Sequence, residues 1–191
     1  MLDVSNISAG YGDRAVVRGL SFKVAAGECV LLRGANGCGK TTLLKTIAGL
    51  QKPLAGTVRT GRTVLVPTRI PKVKGFTVRE FVATATWKRA VSGHEEDAIT
   101  EALESMGIAG KGDSDIASLS DGEFQKACIA TALVQDADVI LLDEPTAFLD
   151  VESRIAVMEL LRDISRRGKA VLFSSHDVYD AERICDRTIR L

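Results

Sequence analysis

The segment GANGCGKT at residues 34–41 constrains the fold of this chain more than any other feature of its sequence. It follows the apolar run ECVLLR, which is typical of a buried strand, and leads into KTTLLKTIAG, which predicts a helix ending near Gly49. A strand, a glycine-rich loop and a helix in this order match G-x-x-x-x-G-K-[ST], a pattern that binds nucleotide phosphates. The sequence therefore predicts an α/β domain built around a phosphate-binding loop.

Each residue type in this loop suits an anion. Gly34, Gly37 and Gly39 permit backbone conformations that other residues disfavour, so that successive N–H groups can point inward. The helix N-terminus adds partial positive charge. We expect Lys40 to reach the β- and γ-phosphates and the hydroxyl of Thr41 to ligate Mg²⁺.

A second apolar run, DVILLDEP at 138–145, ends in two adjacent carboxylates. Ligands of open parallel sheets bind at the carboxyl ends of the strands, so these acids would lie near the phosphate-binding loop. We expect Asp143 to hold Mg²⁺ through water and Glu144 to polarise the water that attacks the γ-phosphate. The alternative, two solvated turn residues, is disfavoured because the glycine-rich loop lies upstream.

Four motifs together resemble those of a known family. GANGCGKTT, LSDGE (119–123), LLDEPTAFLD (141–150) and SSHD (174–177) are similar in order and spacing to the ATP-binding subunit of an ABC transporter. The resemblance covers essentially the whole chain. It implies an α/β P-loop NTPase fold of ABC ATPase type, with a mainly parallel sheet core, an N-terminal antiparallel part and an inserted helical lobe. We expect a single domain over 1–191, with its α/β core at 1–75 and 116–191 and its helical subdomain at about 76–115.

The resemblance assigns roles position by position, with ATP and Mg²⁺ as cofactors. Glu144 and His176 would be catalytic, with His176 contacting the γ-phosphate and the attacking water. Tyr11 would stack on adenine, the alternative being an exposed turn tyrosine. Asp150 would cap the helix after it and lie at a dimer seam. The expected nucleotide-binding residues are Tyr11, Gly34, Asn36, Gly37, Cys38, Gly39, Lys40, Thr41 and Thr42, with Thr41 and Asp143 holding the metal.

The segment LSDGEFQK predicts a helix start, because Ser120 and Glu123 can form a capping box. The resemblance adds that Leu119, Ser120, Asp121, Gly122 and Glu123 form a signature, which contacts the γ-phosphate of ATP held by a second subunit. Both roles are compatible, because a helix start has up to four unpaired N–H groups. Asp121 departs from the glycine common in the family, and we expect its carboxylate to point away from the nucleotide.

At Thr68, in VLVPTR, the family normally has a glutamine that touches Mg²⁺ and the attacking water and links the site to the membrane helices. Threonine is shorter and has no amide. The alternative function is therefore a nucleotide-responsive regulatory module that hydrolyses ATP slowly or not at all. A DNA-repair ATPase is disfavoured because no sustained heptads separate the glycine-rich loop from the signature, and a nucleotide kinase would not need the signature.

Charge and hydropathy bear on location and partners. The 25 basic and 25 acidic residues balance, which gives no reason to expect nucleic-acid binding. No apolar stretch is long enough to cross a bilayer, and the start does not resemble a signal peptide. We therefore expect a cytoplasmic chain, peripheral on the inner face of the membrane, that docks on transmembrane permease subunits through residues 76–90.

The resemblance is strongest to subunits of ferric-siderophore and metal-chelate importers. It implies a homodimer, or a heterodimer with a related ATPase, and a substrate-binding protein that is reached through the complex. The alternative function, a nucleotide-responsive regulatory module, would not power transport.

The four cysteines are too far apart in sequence for a typical metal site. Cys29, Cys128 and Cys185 lie among apolar neighbours and are expected in the core. Cys38 lies in the glycine-rich loop, so we expect a thiol alkylator to inactivate the protein and ATP to protect it.

Overall fold

Strands and helices alternate along most of the chain. A computed structural model describes residues 1–86, 95–175 and 178–191, and for residues 178–180 only the backbone. The strands are β1 (Leu2–Tyr11), β2 (Arg14–Val24), β3 (Cys29–Arg33), β4 (Ala55–Thr60), β5 (Thr63–Val66), β6 (Val139–Leu142), β7 (Ala170–Ser174) and β8 (Arg187–Arg190). The α-helices are α1 (Lys40–Ile47), α2 (Val78–Ala83), α3 (Glu95–Ser105), α4 (Asp121–Val134), α5 (Val151–Arg166) and α6 (Val178–Ile184).

The chain divides into two compact units. The first comprises Met1–Thr68, Ala137–Ala147 and Met158–Leu191, and it contains all the strands named above. The second comprises Arg69–Asp136 and Phe148–Val157 and contains α2, α3 and α4. The segment predicted as a helical subdomain falls within this second unit, which extends beyond it to Asp136.

The first unit contains a five-stranded parallel sheet in the order β5-β6-β7-β3-β8. Strands β6 and β7 are buried at every position, as expected for a parallel sheet covered on both faces. Leu142 pairs with Phe173, so the residues that follow these two strands are neighbours. The predicted parallel sheet is confirmed, and its carboxyl edge gathers the ends of β3, β5, β6 and β7.

The first unit also contains a three-stranded antiparallel sheet in the order β2-β1-β4. Leu2, Val4 and Ile7 of β1 are fully buried in one hydrophobic core with Leu43 and Leu44 of α1. The hairpin between β1 and β2 closes at the Tyr11–Arg14 pair and places Tyr11 at its tip. Polar and apolar residues alternate in LSFKV from Leu20, but strand β2 begins six residues before it, because its first half is stabilised by pairing with β1.

Helices α2, α3 and α4 pack together in the second unit. The predicted apolar face of α3 is buried through Ile99, Leu103 and the following Met106. Phe81 of α2 and Phe124 of α4 form an aromatic pair with ring centroids 5.8 Å apart. The second unit therefore has its own apolar interior.

The apolar residues of VREFVATATWKRAV (78–91) are spaced as in a helix, but helix α2 is shorter than this segment. It ends at Ala83, where the hydroxyl of Thr84 donates to the carbonyl of Phe81 and that of Thr86 donates to the carbonyl of Ala83. Threonine hydroxyls compete for backbone carbonyls in this way and weaken continued helix. Residues 87–91 of this segment lie outside the described residues.

The cysteine predictions hold for two of three positions. Cys29 and Cys128 are buried, and burial raises the pKa of each thiol to about 12. Cys185 is only partly buried, because it lies in the short connection between α6 and β8, so its placement in the core was wrong. Among the helices of the described residues, none is long and apolar enough to cross a membrane.

Candidate functional site

The glycine-rich loop connects the carboxyl end of β3 to the first turn of α1. Gly37 and Gly39 have φ values of 76° and 105°, which favour glycine. A Cβ at Gly39 would lie 2.7 Å from Cγ2 of Val17, and one at Gly34 would lie 2.4 Å from Sγ of Cys38. The loop can thus take this shape only with glycine at these positions.

Lys40 begins α1 and is only 6% exposed. Its ammonium group donates hydrogen bonds of 2.8 Å to the carbonyl of Gly34 and 3.4 Å to that of Ala35. It also lies 3.7 Å from Oε1 of Glu144. A buried cation therefore stands between the loop and one of the two adjacent acids.

Asp143 follows β6 and is 4% exposed. Its Oδ2 accepts a hydrogen bond of 2.7 Å from the hydroxyl of Thr41, and its Oδ1 accepts one of 2.9 Å from the hydroxyl of Ser174. Both carboxylate oxygens are thereby fixed. The residues that sequence reasoning chose as metal ligands, Thr41 and Asp143, are brought into direct contact.

The backbone turns sharply at Glu144, whose φ is 54°. A non-glycine residue in this region is uncommon and costs free energy unless its surroundings hold it. Here the N–H of Glu144 donates a 2.9 Å hydrogen bond to the hydroxyl of Ser174, and its carbonyl accepts from the N–H of Ala147. The turn directs the side chain of Glu144 towards Lys40 rather than along the strand.

These groups line a cavity of about 400 Å³, which is within the usual range for small-molecule sites. Tyr11 is at its rim, 61% exposed, and its hydroxyl lies 3.4 Å from that of Thr42. The cavity is lined by Tyr11, Val16, Asn36, Gly37, Gly39, Lys40, Thr41, Thr42 and Glu144. An aromatic ring at one end and a cationic loop at the other suit a nucleotide.

The residues present fit a magnesium ion. The hydroxyl of Thr41 and the carboxylate of Asp143 offer hard oxygen donors 2.7 Å apart at the edge of the loop. Mg²⁺ typically takes one or two protein oxygens and completes its shell with water and phosphate. No cluster of three metal-binding His, Cys, Asp or Glu side chains occurs in the described residues.

The predicted signature lies in the second unit. Ser120 caps α4, and the capping box with Glu123 is present, with hydrogen bonds of 3.2 Å and 2.9 Å. The N–H of Ser120 and the nearby Lys111 hold the pKa of Glu123 below its ordinary value, so the box stays ionised. A Cβ at Gly122 would lie 2.6 Å from Oγ of Ser153, so a residue larger than glycine would clash with that side chain.

Asp150 caps α5 as predicted. Its carboxylate accepts hydrogen bonds from the N–H and the hydroxyl of Ser153, at 2.9 Å and 2.8 Å. These bonds hold the pKa of Asp150 below its ordinary value. Because Ser153 also touches the signature at Gly122, Asp150 and the signature are linked within the second unit.

Thr68 and His176 are two further positions that the sequence predicted for the site. Thr68 is partly buried and comes two residues after β5, beside β6. His176 and His94 lie outside the described residues, so the catalytic role of His176 stays a prediction. Sequence reasoning missed Ser174, which is hydrogen-bonded to Asp143 and Glu144, and Lys72, which contacts the signature. The paired serines at the end of β7 were a signal for the first, and nothing in the sequence marked the second.

The motifs and their geometry are matched by comparison with known proteins. Residues 17–147 match the family model described as ABC transporter. The chain belongs to the ABC transporter family. Its fold is that of an ABC ATPase domain.

A metal-chelate type ABC transporter in an inward-facing conformation superposes with a TM-score of 0.92, at 27% identity over 100% of this chain and 79% of that one. An ATP-binding subunit of an ABC transporter superposes with a TM-score of 0.85, at 28% identity over 100% of this chain and 85% of that one.

Curated relatives in this family are exporters by name. The Nod factor export ATP-binding protein I of Burkholderia orbicola is 38% identical over 200 residues, which are 97% of this chain and 66% of the relative. The protein of the same name from Rhizobium meliloti is 37% identical over 201 residues, 97% of this chain and 60% of the relative. The chain thus spans about three fifths to two thirds of the length of these ABC transporter relatives.

Proposed function

We propose that this chain binds Mg-ATP between two copies arranged head to tail and hydrolyses it to drive a membrane permease. The observation that carries the proposal is one cavity lined by Lys40, Thr41 and Glu144, in which Lys40 lies beside Glu144 and Thr41 is hydrogen-bonded to Asp143. A glycine-rich loop, a cationic side chain and two adjacent acidic residues are the parts that an enzyme needs for phosphoryl transfer.

Lys40 and Glu144 form the part of the site that would change on binding. A γ-phosphate carries more charge than one carboxylate, so it would draw the ammonium group of Lys40 away from Glu144. Glu144 would then be available to polarise a water molecule in line with the phosphate. Magnesium, held by Thr41 and Asp143, would neutralise charge that develops on the phosphate oxygens.

The second half of the site would come from the partner copy. The N-terminal turn of α4, with Ser120 and its neighbours, presents N–H groups and positive dipole to an anion. A triphosphate clamped between the glycine-rich loop of one copy and the signature of the other would hold the dimer closed. Hydrolysis would remove the γ-phosphate and release the closure, with the permease following the movement.

The direction of transport has two candidates. The motif resemblance favours import of an iron-siderophore type substrate, and the structural similarity to a metal-chelate type ABC transporter is consistent with a metal-chelate substrate. The names of the curated relatives favour export. Transport by vesicles that contain the chain with its permease distinguishes them, because ATP supplied on one side drives accumulation in only one direction.

The test is the oligomeric state of the Glu144→Gln variant with saturating Mg-ATP, measured by light scattering after size exclusion. We expect a dimer that forms only with ATP and dissociates with ADP. The matched control, Glu144→Gln with Lys40→Ala, should stay monomeric because it binds the triphosphate poorly. A Glu144→Gln protein that binds ATP and remains monomeric contradicts the proposal.

The regulatory module is the second candidate, favoured by Thr68 at the position where the family has glutamine. It would dimerise with ATP but turn over slowly. Steady-state ATP hydrolysis by the wild type separates the two, and Thr68→Gln serves as the comparison. A turnover that rises more than about tenfold in Thr68→Gln favours the regulatory function.

A further inference from the structure

Lys72 contacts the signature directly. Its ammonium group donates a 2.8 Å hydrogen bond to the carbonyl of Leu119 and lies 2.8 Å from Oδ1 of Asp121. The same group lies 5.4 Å from the centroid of the Phe124 ring. The lysine is 27% exposed and the aspartate 70% exposed, so the cation is the more firmly held of the two.

The backbone around Lys72 is held against the segment that precedes the signature. The N–H of Ile116 donates to the carbonyl of Phe76 at 2.8 Å, and the N–H of Gly75 donates to Asp115 at 3.0 Å. A β-bridge joins Thr77 to Asp115. These contacts fix residues 75–77, which follow Lys72 closely in the chain, against the segment that leads into the signature.

Exposed ion pairs usually contribute little to stability, so the free energy of folding does not account for this arrangement. The position of Asp121 accounts for the arrangement. It occupies the first turn of α4, where the N–H groups would meet a phosphate, and a bare carboxylate there would repel the nucleotide. The lysine places one positive charge against that carboxylate and orients it.

We propose that Lys72 is a positioning residue of the signature, compensating the charge of Asp121 and holding the carbonyl of Leu119. With Lys72 in place, the chain accommodates an acid where the family has glycine. The assignment rests on the proposed function, because it requires the signature to meet ATP held by a second copy.

The experiment measures the dimerisation constant by sedimentation in saturating Mg-ATP, with Glu144→Gln as the parent. The variants added to it are Lys72→Met, Lys72→Arg, Asp121→Asn and the pair Lys72→Met with Asp121→Asn. The matched control is Lys74→Met, which removes the same charge from an exposed residue two positions away. Each is measured at about 50 mM and about 500 mM salt, since screening weakens an electrostatic effect.

We expect Lys72→Met to weaken dimerisation by about tenfold at low salt and by less at high salt. Lys72→Arg and Lys74→Met should stay within about twofold of the parent, and Asp121→Asn should restore Lys72→Met to nearly the parental value. The assignment is overturned if Lys72→Met behaves like Lys74→Met, or if Asp121→Asn does not rescue it. A parent that stays monomeric overturns the proposed function itself, and this assignment with it.

Discussion

Ser174 donates a 2.9 Å hydrogen bond to Oδ1 of Asp143 across two neighbouring strands of the parallel sheet. The hydroxyl is fully buried and also accepts from the N–H of Glu144. One side chain thus fixes the carboxylate of one acid and the backbone turn of the next. The pairing of Leu142 with Phe173 sets this contact, because it makes the following residues of the two strands neighbours.

We expect Ser174→Ala to lower the rate of ATP turnover by about 10- to 100-fold while the KM for ATP changes by less than about threefold. The reason is that Asp143 and Glu144 lose their orientation, whereas Lys40 and the loop still bind phosphates. The Mg²⁺ concentration needed for half-maximal turnover should rise. The control is Ser165→Ala, an equally buried serine whose hydroxyl donates to the carbonyl of Arg162. Equal losses of turnover in the two variants would contradict the assignment.

Gly39→Ala should abolish nucleotide binding and destabilise the fold by about 1–3 kcal/mol. Its φ is 105°, and an added Cβ would lie 2.7 Å from Val17. The comparison is Gly37→Ala, which also has positive φ, 76°, but meets no heavy atom within 4 Å. Calorimetric titration with ATP and thermal unfolding should show the larger loss for Gly39→Ala, and the reverse order would show that the loop takes another shape.

Cys38 should be the first thiol to react with N-ethylmaleimide near neutral pH, and Mg-ATP should slow this reaction. Burial raises the pKa of Cys29 and of Cys128 to about 12, so almost no thiolate forms at either position. Peptide mass spectrometry over time measures the labelling of each thiol. Cys38→Ser is the control, and its ATP turnover should resist the reagent. Labelling of Cys38 at the same rate with and without Mg-ATP is the opposing result.

Asp186→Asn should lower the melting temperature near neutral pH by about 2–4 °C. Burial opposes ionisation, but the N–H of Cys29 at 2.8 Å and Arg162 at 2.7 Å hold the pKa of Asp186 below its ordinary value of 3.8. A lowered folded pKa stabilises the protein above the unfolded pKa, and this contribution is lost as the pH falls through the folded pKa.

The difference between wild type and Asp186→Asn should therefore shrink as the pH falls below 3.8 and disappear once the pH has passed through the lowered folded pKa of Asp186. Thermal unfolding at a series of pH values measures it. Asp163→Asn is the control, because that carboxylate pairs with Arg166 on one exposed helix face and contributes little. A difference that persists unchanged into strong acid would exclude the ionised hydrogen bonds as its cause.

The spacing of residue types along the chain was enough to predict several strands, helix starts and loops of this protein. Strand β6 occupies the predicted Val139–Leu142, and the capping box of Ser120 and Glu123 forms as expected. The glycine-rich loop follows β3 and enters α1, as its sequence pattern requires. These features depend on residues within about one helical turn of each other, so their pattern is visible in the chain itself.

Contacts between distant residues could not be predicted in the same way. The paired serines mark Ser174 itself, but no local pattern shows that it meets Asp143 across 31 positions or that Lys72 meets Asp121 across 49. Strand β2 begins earlier than its own sequence indicates because β1 pairs with it, and α2 ends earlier because two threonines bond to its carbonyls. Short-range periodicity specifies what each segment becomes, whereas strand pairing and loop docking place one segment beside another, and only that placement brings a buried hydroxyl or a compensating lysine to the acids.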